Sequence, residues 1–420
     1  MEMKRYKLGE IATVLAGGTP STKIDKYWNG SIPWLSVKDF CSVNKWVSST
    51  EKTITQEGFD NCPSSMLKKG DLILSARGTV GKIAMVDKNM AFNQSCFGLR
   101  AKKDFVTSDF LFYWFLNNQQ IFKGAQQGNV FKSITLDFFE KTNAIIPPLQ
   151  TQQKIVAVLS SLDDKIALNK RINARLEALA KRLYDYWFVQ FDFPDKNGKP
   201  YKTSGDKMVW NEVLKREIPV GWEVVEMSSV IKQINTGLNP RDNFILGNGK
   251  IKYVTVKNLT EEGHIDFSNC DLVNSEAQKI IHERSQIQTG DILFASICPL
   301  GRCYLIQDSP EEWDINESVF SIRPNIDRIT SEFLYTLLRE LYYVKKMTQK
   351  ATGSIFKGIR INDIEKIEIL LPPKDIINAF SKKTLPIFNY QLTIQKEIQK
   401  LTDLRDRLLP LLMNGQVEVE

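Results

Sequence analysis

The chain has 420 residues, 42% of them hydrophobic, and a formal net charge of +7; it is too long for one ordinary domain and too apolar for a disordered chain. No apolar run reaches the roughly 18 residues of a membrane span, and the start Met1-Glu2-Met3-Lys4-Arg5-Tyr6 lacks the apolar stretch of a secretory signal, so a cytoplasmic location is the expectation. The six cysteines include no Cys-x-x-Cys and the only histidines are His264 and His282, which leaves little material for a zinc site or for histidine acid–base chemistry.

In chain order, Tyr6 to Ala12 reads as a short strand or turn leading into a helix, followed by the turn-rich Gly17-Gly18-Thr19-Pro20-Ser21. Ile32–Val37 and Leu72–Ala76 read as strands, the second launched by Gly70-Asp71. Ser108 to Phe122 reads as an aromatic-rich helix with Ser108 as its N-cap. The double proline Pro147-Pro148 ends this region, and a long helix follows. The polar, Pro- and Gly-bearing stretch around Asp192 to Pro200 reads as a surface linker.

The same order then returns. Thr289-Gly290-Asp291-Ile292-Leu293 repeats Lys69-Gly70-Asp71-Leu72-Ile73 at an offset of 220 residues, and Pro372-Pro373 repeats Pro147-Pro148 at 225. A period this long excludes a solenoid, whose units span about 20–50 residues. The expected organisation is residues 1–148, a central helix over 149–190, a linker over 191–221, a second domain over 222–373, and a C-terminal helix and tail over 374–420. Two similar modules on one chain suit a task with two similar but distinguishable contacts, such as a split site on DNA.

Both long helices carry one seam. Ile155, Leu159, Leu162, Ile166, Asn169, Asn173, Leu176, Ala180, Leu183 and Trp187 alternate steps of four and three, and the frame recurs as Phe380, Thr384, Ile387, Gln391, Ile394, Ile398, Leu401, Arg405, Leu408 and Leu412. Such a seam favours helix-to-helix pairing over two helices each lying on its own domain. Polar Asn169, Asn173, Thr384 and Gln391 would cost stability and fix register. Pro386 predicts a kink, or a later start, for the second helix.

The charge is uneven. Residues 1–150 hold 19 Lys and Arg against 13 Asp and Glu, whereas residues 201–374 hold 22 against 24. The first half favours a polyanion; the second would have to cluster its cations on one face. The candidates for DNA contact are polar and basic residues on predicted loops: Thr19, Ser21, Lys38, Arg77, Lys82, Gln94 and Lys132 in the first module, and Asn239, Arg241, Lys257, Arg302, Asn316 and Lys357 in the second. Lys132 and Lys357 recur in register. Lys82 and Arg302 each follow a glycine, and a tight turn presenting one cation suits a phosphate or a base edge as well as it suits a solvated hairpin. Gly78-Thr79-Val80-Gly81-Lys82 has two residues between its glycines and Ile83 after the lysine, so it is not a nucleotide-binding loop. Pro147-Pro148 and Pro372-Pro373 follow Ile146 and Leu371 and lack the Asn and aromatic residue of an adenine methyltransferase motif. No nuclease constellation stands out, so the chain is read as non-catalytic and metal-free.

The chain resembles specificity subunits of Type I restriction-modification systems. The resemblance rests on Tyr6-Lys7-Leu8-Gly9-Glu10-Ile11, the Gly-Gly-Thr-Pro-Ser loop at 17–21, Ile32-Pro33-Trp34-Leu35-Ser36, Gly70-Asp71-Leu72-Ile73 with Arg77-Gly78-Thr79-Val80-Gly81, Pro147-Pro148-Leu149-Gln150-Thr151-Gln152-Gln153, and Leu408-Leu409-Pro410-Leu411-Leu412-Met413-Asn414-Gly415. It implies an α+β chain of two tandem α/β target recognition domains, each followed by a long helix, the helices pairing as an antiparallel coiled coil. It further implies a bipartite double-stranded DNA target, two modification (methyltransferase) subunits and ATP-dependent restriction subunits as partners, no membrane, and no cofactor in this chain, with S-adenosylmethionine, ATP and Mg on the partner subunits. The second module departs from the pattern at Thr236-Gly237-Leu238-Asn239-Pro240 and at Ile297-Cys298-Pro299-Leu300-Gly301. The other readings are an orphan DNA-binding regulator and a coiled-coil adaptor of the same fold.

Overall fold

The strands that begin at the two Gly-Asp pairs lie inside two similarly ordered sheets. A computed structural model describes residues 2–40, 45–124, 134–351 and 357–419 and divides into two compact units, residues 1–168 with 398–420, and residues 169–397.

In the first unit one sheet runs Ala12–Ala16, Cys96–Ala101, Leu72–Ser75, Ile83–Val86, Trp46–Val47; a second runs Lys52–Ile54, Trp28–Leu35, Ala91–Phe92; and Lys4–Lys7 pairs with Asn143–Ile146. Leu72–Ser75 is buried along its whole length. Leu72 and Leu74 pack toward the helix Ser108–Asn117, while Ile73 packs with Leu35 and Phe92. A strand covered on both faces reads as an unbroken apolar run, which is why the Gly-Asp signal is so visible in the sequence. The helix buries Phe110 through Phe115 and is capped by Thr107, whose side chain accepts from the Phe110 N–H, rather than by Ser108. It stops at Asn117, and a second short helix, Gln119–Gly124, follows.

The second unit repeats this plan with Ile231–Thr236, Val319–Pro324, Ile292–Ala295, Cys303–Leu305 in one sheet, Asp271–Val273, Ile251–Val254, Trp313–Ile315 in another, and Glu223–Glu226 paired with Glu368–Leu371. Thr330 caps the matching helix, Ser331–Arg339. In both units the aspartate after the glycine has one job. Asp71 accepts from the Lys68 N–H and from Arg100, and Asp291 accepts from the Gln288 N–H and from Arg323. Each carboxylate closes its own turn and pairs with a cation on the neighbouring strand, so its repetition reflects scaffolding and not catalysis.

The long helices are Leu149–Tyr184, continued by one π turn over Asp185–Val189, and Lys374–Met413. At 1.5 Å per residue they extend about 54 and 60 Å. No seam position in either helix is exposed. In the first unit Lys154 reaches the Val419 carbonyl and Asp163 pairs with Arg405 at 3.0 Å. In the second, Gln391 donates to the Asn173 carbonyl and Phe380 packs on Tyr184 and Trp187. Within each unit the two helices therefore run antiparallel. Two of the polar seam positions are under-satisfied: Asn169 Nδ2 and both side-chain polar atoms of Asn173 are buried without a partner, at a cost of about 1–3 kcal/mol per group.

Two expectations are corrected. The C-terminal helix does not start near Pro386; it begins at Lys374 and runs through the proline to Met413. Pro386 and Lys382 are both exposed, so the interruption falls outside the buried seam, on the side of the helix that faces water. Residues 191–221 are more than a surface linker. Met208–Asn211 and Arg216–Pro219 form a hairpin, and Phe191, Phe193, Ile218 and Trp222 join the core of the second unit. The Pro/Gly composition of the stretch hides these apolar anchors. Among the described residues no helix is long and apolar enough to cross a membrane.

Candidate nucleic-acid interface

The first module brings two of its candidates, Lys38 and Arg77, to one cleft. The Trp28–Leu35 strand ends at Ser36, where Asp39 accepts from the Ser36 N–H and hydroxyl, each at 2.7 Å, and from the Glu51 N–H. That clasp turns the chain and leaves Lys38 exposed. The hairpin after Leu72–Ser75 brings Arg77, also exposed, to the same place. Trp34, Lys38, Arg77, Thr79, Asn93 and Lys52 are among the residues that line a cleft of about 480 Å³. Asn93 is oriented by the Ser95 N–H, which donates to its Oδ1 at 3.1 Å, leaving its Nδ2 available. The neighbouring cations and the amide, beside the Asp39 and Glu51 carboxylates that also line the cleft, can hold a phosphate and read a base edge.

The Gly-Gly-Thr-Pro loop belongs to the rim of this region. Gly17 lies so close to the Asn93 carbonyl that a Cβ would stand 2.1 Å from it. The Trp34 indole donates to the Gly18 carbonyl at 3.0 Å, and the Thr19 hydroxyl bonds the Gln94 side chain. Thr19 and Gln94 are thus partners, with Gln94 exposed. Ser21 is exposed, and its carbonyl accepts from Trp28. Lys82 is exposed at the base of the Arg77 hairpin, while its backbone bonds Ser75. Lys132 lies outside the described residues. Lys52 and Ser95 were missed as candidates. Only sheet register reveals Lys52: it pairs with Trp34 across the strands.

In the second module Lys257 occupies the place of Lys38 and is likewise exposed, on a turn in which Asn258 accepts from the Thr255 N–H and hydroxyl. Asn316 repeats Asn93, its Oδ1 taking the Ser318 N–H at 3.1 Å. Arg241 and Lys357 are exposed, and the Lys357 carbonyl accepts from the Cys298 N–H. Asn239 bonds Asn243 within its own loop. Arg302 is placed unlike Lys82. Only 25% of its side chain is exposed, with Nη1 on the Leu259 carbonyl and Nη2 3.4 Å from Glu261.

His282, Asp314 and Ser285 resemble a hydrolytic relay in composition only. Buried Asp314 lies between the other two, accepting from Ser285 at 2.6 Å and facing His282 at 3.2 Å, so the hydroxyl has no base beside it. Burial pushes the Asp314 carboxyl above its ordinary range. Among the described residues no group of three or more His, Cys, Asp or Glu side chains could hold a metal.

Comparison with known proteins places this architecture. The family described as Type I restriction modification DNA specificity domain matches residues 1–178 and 219–404. The chain is 31% identical to the type I restriction enzyme MjaIX specificity subunit of Methanocaldococcus jannaschii over 425 residues, covering 99% of this chain and 93% of that one. It is 27% identical to the HindI specificity subunit of Haemophilus influenzae, over 99% of this chain and all of that one. The crystal structure of the Type I restriction-modification S subunit from M. genitalium has the same fold, with a TM-score of 0.58, 14% identity, and coverage of 98% of this chain and 96% of that one. The chain therefore belongs to the specificity subunits of Type I restriction-modification systems, the non-catalytic subunits that recognise DNA.

Proposed function

We propose that each module of this chain reads one half of a bipartite, asymmetric sequence in double-stranded DNA, and that the paired helices set the distance between the halves. The observation that carries this reading is the duplication itself: one scaffold occurs twice, with the same Asp–cation pair and the same Asn-capped loop, but with Arg77 in one module and Ile297 at the matching position of the other. A shared frame with divergent outer residues is what two different half-sites require. The helices, about 54 and 60 Å long by residue count, exceed one DNA turn of about 34 Å, so they can hold two readers a turn apart.

The helices also supply the docking surface for two modification subunits, which would bring S-adenosylmethionine and methylate adenine, while ATP- and Mg-dependent restriction subunits join for cleavage, in the cytoplasm. Adenine methylation mapped across the genome of cells with and without this gene tests the reading. Loss of one gapped, two-part motif is expected; an unchanged pattern would favour a regulator or an adaptor.

A further inference from the structure

Lys257 sits on the turn that leads into a small hairpin, in which Leu259 bridges Ile265 and the Thr260 N–H donates to the His264 carbonyl at 2.9 Å. Two arginines hold this hairpin, and both reach Glu261. Arg302 donates to the Leu259 carbonyl at 3.3 Å and approaches the Glu261 carboxylate. Arg339, only 18% exposed, donates to the Glu261 carbonyl at 2.7 Å, to the Tyr335 hydroxyl at 2.7 Å, and to Glu177 on the central helix. The approach is close enough to require glycine at the tip. Gly263 has φ +82°, and a Cβ there would stand 2.2 Å from the Tyr335 hydroxyl and 2.9 Å from the Arg339 guanidinium.

The first module fastens the corresponding segment with other residues. Lys45, beyond the Lys38 turn, lies 2.8 Å from Asp109 and over the Tyr113 ring. Tyr113 donates to Asp163 of the central helix at 2.6 Å, and Asp163 also holds Arg405. A polar tie from this segment to the long helix thus occurs twice, built from different side chains each time.

We propose that Arg302 and Arg339 are positioning residues of the second module: Arg302 holds the Leu259–Ile265 hairpin to its own strand Cys303–Leu305, Arg339 ties it to the central helix through Glu177, and together they fix Lys257 for contact with DNA. Arg302, a candidate contact by sequence, acts through the hairpin and touches no phosphate. This rests on the DNA-recognition reading above.

The test uses the full chain with its co-purifying subunits and a duplex carrying the methylation-mapped site. Affinity is measured against salt for Arg302→Met, Arg339→Met, the double variant and Lys257→Ala. Each arginine variant is expected to weaken binding about threefold to tenfold, and the double variant no more than the weaker single one, because both act on one element. The arginine variants keep the wild-type salt slope, whereas Lys257→Ala lowers it by about 0.9, the loss of one phosphate contact. A slope reduced by Arg302→Met, or losses that add, overturns the proposal and leaves the DNA reading intact. A wild-type complex that fails to bind the duplex overturns the DNA reading itself. If Arg339→Met does not fold, Arg339→Lys carries the test. It keeps a cation against Glu177 but loses the fork that also reaches the Glu261 carbonyl, so intermediate affinity at unchanged slope is expected and wild-type affinity overturns the proposal.

Discussion

The two modules agree in their interior and differ at their rim. Asp71 with Arg100 and Asp291 with Arg323 tie the same turn to the same neighbouring strand. Asn93 and Asn316 each accept the N–H two residues on. At the rim, the first module exposes Arg77 beside Lys38 and Lys52 in a cleft, whereas the second draws Arg302 inward and places Ile297 where Arg77 stands. The shared positions build the scaffold; on the proposed function, the positions that differ would decide what each module reads.

The largest effect that would sharpen this comparison lies in the shared ion pairs. The Asp291 side chain is 1% exposed against 16% for Arg323, while Arg100 opposite Asp71 is 35% exposed. Asp291→Asn leaves a buried guanidinium uncompensated and is expected to cost about 3 kcal/mol. Asp71→Asn is expected to cost about 1–2 kcal/mol, because Arg100 can rehydrate. Hydrogen exchange, which reports each unit separately, measures both; equal losses would break the asymmetry. Next in size, Lys38→Ala with Arg77→Ala is expected to weaken DNA binding about tenfold or more and to lower the salt slope by about 1.8, two phosphate contacts at 0.9 each. A slope unchanged by the pair would remove the first-module cleft from the interface.

The smallest effect concerns pH. Both histidines fall in the second module. Burial holds the His264 pKa below its ordinary 6.5. A depressed histidine gives stability that is present above about 6.5 and is lost as pH falls through the folded value, since the unfolded chain then binds the proton more readily. Acidification from pH 7.5 to 5.5 is expected to lower protection in the second unit through this residue, and His264→Asn is expected to reduce that loss. The same loss in the variant would assign the sensitivity elsewhere.

The sequence displays those features that depend on short-range pattern. The 3–4 alternation from Ile155 to Trp187 predicts the buried seam, because a helix facing a helix needs little beyond that spacing. The Gly-Asp runs are visible because their strands are covered on both faces. Pro386 misleads, since its tolerance depends on which side of the helix faces water. The segment 191–221 misleads as well, because its turn residues surround a few aromatic anchors. Lys52 reaches the cleft only through pairing with Trp34, and the inward turn of Arg302 depends on carbonyls at 259 and 261. Neither relation has a signature along the chain.

The most direct test of two readers held apart by a helical ruler is to delete one heptad within residues 155–187 together with the heptad opposing it in the C-terminal helix, and then to map adenine methylation in cells carrying that chain. Both half-sites are predicted to keep their bases while the spacer between them changes. Altered bases in either half-site, with the spacer unchanged, would contradict the account.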